Sequence, residues 1–176
     1  MSDVVSKMSI EPHEQQNVKR VSCAVLTVSD TRTQESDVSG TIIRDRLLQA
    51  GHTIHNYLIV RDDPKQIRAI LIAFRDDPAC QVVIMNGGTG IAARDTSFEA
   101  VSALLDKRLD GFGEFFRAKS IEAIGPKAML SRAVAGCMRN TVVFSIPGSA
   151  SAVSLAIEDL ILPVLGHAVY LLQSSK

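Results

Sequence analysis

The chain has 176 residues, enough for one domain with a proper core and short for two. Lysine plus arginine and aspartate plus glutamate number 19 each, and this zero net charge argues against nucleic acid or an anionic membrane surface as the main partner. No apolar run reaches the ~18 residues that span a bilayer, and the start of the chain lacks a signal-peptide core, so a cytoplasmic protein is expected.

Cys23, Cys80 and Cys137 are scattered and odd in number, which fits reduced thiols better than a disulfide frame or a zinc site. His52 and His55 stand three apart in a strand-like segment, on opposite faces, so a shared metal is not expected. Neither His13 nor His167 is assigned a role.

Residues 1–18 are polar and without periodicity, which predicts a mobile tail ahead of a single domain over 19–176. Residues 21–28 read as a first strand, emptying into Ser29-Asp30-Thr31-Arg32-Thr33. A helix is expected over 36–50, with Val38, Ile42, Ile43 and Leu47 on its apolar side and Gly51 as its stop. Gly40 in its first turns points to close packing or ligand approach. Residues 53–60 form the second strand, and Asp63-Pro64 opens the next helix, with Ile67, Ile70, Leu71 and Phe74 in one stripe.

Val82-Val83-Ile84-Met85 reads as a strand buried on both faces. It runs into Asn86-Gly87-Gly88-Thr89-Gly90, where glycine lets the backbone turn sharply and approach a ligand closely. Such a loop between strand and helix turns N–H groups toward one point and makes an anion site. Asp95, Thr96 and Ser97 then offer N-cap chemistry for a helix starting at Phe98, with Phe98, Val101, Leu104 and Leu105 facing in. Beyond it, residues 111–123 look helical, Gly125-Pro126 breaks them, and one further turn reaches Leu130. Residues 131–136 are expected to pair as a short strand with the buried strand 141–146, Asn140 lying in the turn. Pro147-Gly148-Ser149 leads into a last helix with Val153, Ile157, Leu160 and Val164 as its apolar face.

This alternation predicts an α/β three-layer sandwich around a mostly parallel sheet. Right-handed crossovers then gather loops 29–33, 61–64, 86–95 and 147–149 into one crevice, provided their four strands run parallel. Glycine N–H groups, hydroxyls and carboxylates together suit a phosphate ester with a metal, and Asp62 and Asp95 are hard oxygen ligands for Mg²⁺. No P-loop is present. Gly88-Thr89-Gly90-Ile91-Ala92-Ala93 satisfies a relaxed dinucleotide fingerprint with Asp110 about 20 residues on. That loop follows the third strand and Asp110 ends no second strand, so NAD chemistry is set aside.

Leu26-Thr27-Val28-Ser29-Asp30, Asn86-Gly87-Gly88-Thr89-Gly90 with Arg94-Asp95, Gly111-Phe112-Gly113-Glu114, Ser131-Arg132-Ala133-Val134-Ala135-Gly136 and Pro147-Gly148-Ser149 resemble the MoaB/MogA family of molybdenum cofactor biosynthesis. The likeness runs in register over about residues 20–165, and Asn86 and the 131–136 stretch look closer to the MoaB branch. The resemblance implies a molybdopterin-binding three-layer α/β fold and a homo-oligomer built from trimers. It also implies an adenylyltransferase using Mg²⁺, ATP and molybdopterin. In that reaction the terminal phosphate of molybdopterin attacks the α-phosphorus of ATP and pyrophosphate leaves. Carried onto this chain, Gly87, Gly88, Thr89 and Gly90 cradle phosphate, while Asp95 and Asp62 are the catalytic carboxylates and metal ligands. Ser29 and Asp30 line the nucleotide side and Pro147, Gly148 and Ser149 close it, with Glu114, Arg117, Ser131 and Arg132 toward the substrate. The family commonly carries Pro where this chain has Phe98, a loss expected to loosen the Asp95 loop. The competing expectation is a non-catalytic molybdopterin- or nucleotide-binding or scaffold protein of the same pathway, since MoaB-branch proteins can leave adenylyl transfer to a paralogue.

Overall fold

The computed structural model describes residues 17–174. Six strands, β1 (Ser22–Val28), β2 (Thr53–Val60), β3 (Val82–Asn86), β4 (Lys107–Arg108), β5 (Val134–Met138) and β6 (Thr141–Ile146), form one sheet in the order β2-β1-β3-β6-β5-β4. β1, β2, β3 and β6 run parallel, as the crevice expectation requires, whereas β5 and then β4 pair antiparallel at the far edge.

Side chains alternate along each central strand, so the sheet carries a core on each face. Cys23, Val25, Val82, Ile84, Val142 and Phe144 meet Ile43 and Leu47 of α1 (Val38–Gln49), Phe116 of α4 (Asp110–Ile124) and the C-terminal helix. On the other side, Ala24, Leu26, Val83, Met85 and Val143 meet Ile67, Leu71 and Phe74 of α2 (Pro64–Asp76) and Ala100 and Val101 of α3 (Ser97–Ser102). The result is three layers. Asp63 caps α2 through a bond from Lys65 N–H at 2.8 Å, with Pro64 in the first turn. Gly40 packs against Asp37 and Tyr57.

The C-terminal helix is continuous but changes pitch: α5 (Ala150–Leu155), a π-helical stretch (Ala156–Ile161), then α6 (Leu162–Gln173). A π turn takes more residues than an α turn and rotates the following face. Val153, Ile157, Ile161, Leu165 and Val169 therefore form the buried stripe, at intervals of four, and Val164 is 46% exposed rather than core. The 24 residues Ala150–Gln173, with a mean hydropathy of 1.7 in their most apolar window, are long and apolar enough to cross a membrane, contrary to the reading of the sequence. Here that stripe is part of the core beneath the sheet.

Other elements also move. The strand expected over 131–136 lies at β5, three residues later, because Ser131, Arg132 and Ala133 lead up to the ladder without entering it. The two-residue β4 was not foreseen. Most of the predicted tail lies outside the described residues. Val18, inside its predicted bounds, instead packs on the core and donates its N–H to Gly166 O at 3.1 Å.

Candidate functional site: the strand-end crevice

Parallel β1, β2, β3 and β6 end together, Val28 beside Val60, Thr27 beside Asn86 and Asn86 beside Ile146. Their following loops therefore meet at one edge. A cavity of about 300 Å³ opens there, walled on one side by Gly88, Thr89, Gly90, Asp95, Pro147, Gly148 and Ser149. Phe116, Ala123, Ile124, Leu130 and Leu155 supply its apolar lining. Ser131 borders this cavity and a second one of about 400 Å³ that takes in Glu114, Arg117, Arg132 and Phe98. Ser131 Oγ is buried without a partner at that junction.

The glycine loop is unusual in how its backbone groups are used. Gly87 (φ 99°) and Gly88 (φ 63°) both sit in the left-handed region that side chains avoid. A Cβ on Gly87 would collide with Val28 O, and one on Gly88 with Asp62 Oδ2 and Ser97 Oγ. The carbonyls of Gly88, Thr89, Gly90 and Asp95 are occupied from within the protein. Ser97 N–H donates to Gly88 O at 3.1 Å, Arg132 Nε to Thr89 O at 3.1 Å, and Arg132 Nη2 to Gly90 O at 2.5 Å and Asp95 O at 3.1 Å. Among the described residues, none accepts from the N–H of Gly88, Thr89 or Gly90. Buried backbone donors rarely lack partners, so a row of three free ones beside a cavity makes a surface complementary to an anion. Gly87 does not join it, because its N–H donates to Ile146 O at 3.0 Å.

Pro147-Gly148-Ser149 behaves alike. Gly148 O accepts from Arg32 Nη2 at 2.9 Å and Ser39 Oγ at 2.8 Å, and Ser149 Oγ caps α5 by accepting from Ala152 N–H at 3.3 Å. Beneath it lies a buried polar network the sequence reading missed. Asp37, whose side chain is fully buried, accepts from Gly40 N–H at 3.0 Å, Tyr57 Oη at 2.8 Å and Arg32 Nη1 at 3.4 Å. Burial alone would raise the Asp37 carboxyl, but bonds from Thr27, Gly40 and Tyr57 and the Arg32 charge outweigh it and hold it below the ordinary value. Burial, then the bond to Asp37, pushes the Tyr57 hydroxyl up to about 12. The available signal was Asp37 itself, an Asp directly ahead of an apolar helix pattern.

The remaining expected site residues are brought to the same edge but not to the cavity wall. Ser29 Oγ accepts from Arg32 N–H at 3.1 Å and so holds its own loop. Asp30 Oδ1 accepts from Asp62 N–H at 3.3 Å. Asp62 Oδ1 accepts from Thr96 N–H at 3.0 Å and Thr96 Oγ1 at 2.7 Å, tying the β2 and β3 loops together. Thr96 thus spends its hydroxyl on Asp62 and makes no side-chain cap for α3, and Asp95 Oδ2 accepts from Ala92 N–H at 3.0 Å instead of capping. Each carboxylate keeps one oxygen without a protein partner. Among the described residues no group of three or more His, Cys, Asp and Glu is placed to hold a metal. Arg132 is turned to the glycine loop and Glu99, whose carboxyl its bond lowers, with its guanidinium 5.0 Å over the Phe98 ring. His52 and His55 hold separate partners, Val21 N–H and Asp77.

Fold and site together define a three-layer α/β domain with a crevice at its strand ends that offers free backbone N–H donors. Residues 24–167 match the model of the probable molybdopterin binding domain family. The chain is 50% identical over 164 residues to molybdenum cofactor biosynthesis protein B of Bacillus cereus, covering 93% of this chain and 97% of that one. A crystal structure of a molybdenum cofactor biosynthesis protein B superposes with a TM-score of 0.87 at 50% identity, over 89% of this chain and 98% of that one. The crystal structure of MoaB from Thermus thermophilus gives 0.76 at 34%, over 88% and 97%. The Mog protein of Mycobacterium ulcerans gives 0.77 at only 26%, over 86% and 99%. The chain belongs to the MoaB/MogA family of molybdenum cofactor biosynthesis proteins.

Proposed function

We propose that this protein binds molybdopterin, together with nucleotide phosphate, in the strand-end crevice and serves molybdenum cofactor biosynthesis as a binding protein. The observation that carries this reading is the row of unpartnered N–H groups at Gly88, Thr89 and Gly90 in a cavity that is also lined by apolar Phe116, Ile124 and Leu130. A phosphate ester of a flat heterocycle has an anionic end for the donors and a flat ring for the apolar lining. The 50% identity to protein B relatives, against 26% to a Mog protein, supports binding ahead of turnover.

Adenylyl transfer is the second reading, favoured by the open oxygens of Asp62 and Asp95 beside the loop. Those two carboxylates fit Mg²⁺, which takes one or two carboxylates and completes its shell with phosphate oxygens and water. Bound there, the ion would neutralise charge on the triphosphate. The glycine N–H groups would hold the α-phosphate while a terminal phosphate oxygen of molybdopterin forms the new P–O bond and pyrophosphate leaves. Assembly into trimers or hexamers belongs to the same proposal, with the apolar groove of Leu109, Phe112, Phe115, Val164 and Leu171 as the surface it would cover, and so does a cytoplasmic location.

Anaerobic calorimetry with molybdopterin, run beside a pyrophosphate-release assay with Mg-ATP, separates the readings. Binding without release supports the binding protein. Release that requires molybdopterin and is lost in Asp95→Asn, with binding retained, establishes the transferase. Absence of molybdopterin binding contradicts both.

A further inference from the structure

We propose that Arg132 and Arg32 are paired positioning residues that make the two crevice loops donor-only surfaces, each by drawing loop carbonyls to the side away from the ligand. This rests on the ligand reading above for its purpose, though not for its geometry. A peptide unit presents N–H and C=O in opposite directions, so fixing the carbonyl fixes where the N–H points. Arg132 holds the carbonyls of Thr89, Gly90 and Asp95 at once; Thr89 O shares its peptide unit with the free N–H of Gly90, just as Gly88 O, held by Ser97 N–H, shares its unit with the free N–H of Thr89. Only a planar fork with several fixed donors can serve three carbonyls together; a lysine ammonium cannot match that geometry.

Phe98 completes the device. Its ring lies 5.0 Å below the Arg132 guanidinium and Glu99 pairs with the guanidinium, so two consecutive α3 residues hold it. The loop that lacks the expected helix-entry proline is thereby braced through this stack. In the adjoining loop, Arg32 holds Gly148 O with help from Ser39 and is itself anchored by buried Asp37. Neither guanidinium lines the 300 Å³ cavity. Both act through backbone.

The test is local hydrogen exchange in the full-length protein, read at the bonded amides of Ala92, Asp95, Thr96 and Ser97 for one loop and of Ala152 and Val153 for the other. Arg132→Lys should speed exchange in the first set about tenfold or more, the loss of charge-assisted bonds, and leave the second set within about twofold. Arg32→Lys should do the reverse. Phe98→Ala, which leaves the fork intact but removes its support, should give a smaller increase confined to the first set. Added guanidinium ion at low concentration should slow the first set again in Arg132→Ala. Molybdopterin affinity should fall about tenfold in both lysine variants. Equal change across all amides, or wild-type exchange in both loops of the lysine variants, would overturn the proposal. If wild-type protein binds no molybdopterin, the ligand reading falls and the exchange pattern alone decides the clamps.

Discussion

Gly87 and Gly88 hold φ values of 99° and 63° with a carbonyl, a carboxylate and a hydroxyl packed where a side chain would begin. Alanine at either position adds backbone strain to a steric conflict, and each substitution should lower stability by more than about 1 kcal/mol, measured as a shift in urea midpoint. Asp37 offers a pH signature. Its folded carboxyl titrates below the ordinary value of 3.8, so its contribution is fully present above 3.8 and disappears as pH falls through the depressed folded value. Asp37→Asn should cost about 1–3 kcal/mol at neutral pH and show a flatter acid limb than wild type, because the variant has no such proton to take up. The glycines and Asp95 were legible from the sequence, since glycine run and strand end make a local pattern. Arg132 was legible only as a residue of interest. Its direction is set by packing between β5 and the glycine loop, which lie some forty positions apart, and no local pattern reports that.

At the scale of elements, the parallel strands and α2 stand where periodicity and the Asp63-Pro64 entry place them. The C-terminal helix differs in phase. A strict α pitch over its length would bury Val164, and the π stretch at Ala156–Ile161 instead buries Ile161 and Leu165. Two substitutions distinguish the phases. Ile157→Ala should destabilise by about 2–5 kcal/mol because it leaves a cavity in the core, whereas Val164→Ala should stay within about 0.5 kcal/mol in thermal unfolding of the monomer. The shift of β5 has a similar origin. Ser131, Arg132 and Ala133 carry strand-like sequence, yet Arg132 is committed to the glycine loop and the ladder begins at Val134.

The whole molecule is organised by one topological fact, the parallel run of β2, β1, β3 and β6. It brings loops separated by more than a hundred residues to one edge of the sheet. Alternation of strands and helices announces that arrangement, but the antiparallel edge of β5 and β4 rests on pairings between distant segments and was only half visible. Asp95→Asn keeps the shape of the loop and removes a charge, so molybdopterin affinity should change by less than about tenfold while any pyrophosphate release disappears.

The most direct test of the account is hydrogen exchange of the intact protein with and without molybdopterin. Protection should concentrate in peptides covering residues 87–97 and 147–153, with the opposite sheet edge around Arg75 and Arg139 unchanged. Protection confined to that opposite edge, or none at saturating ligand, would contradict the assignment of the strand-end crevice.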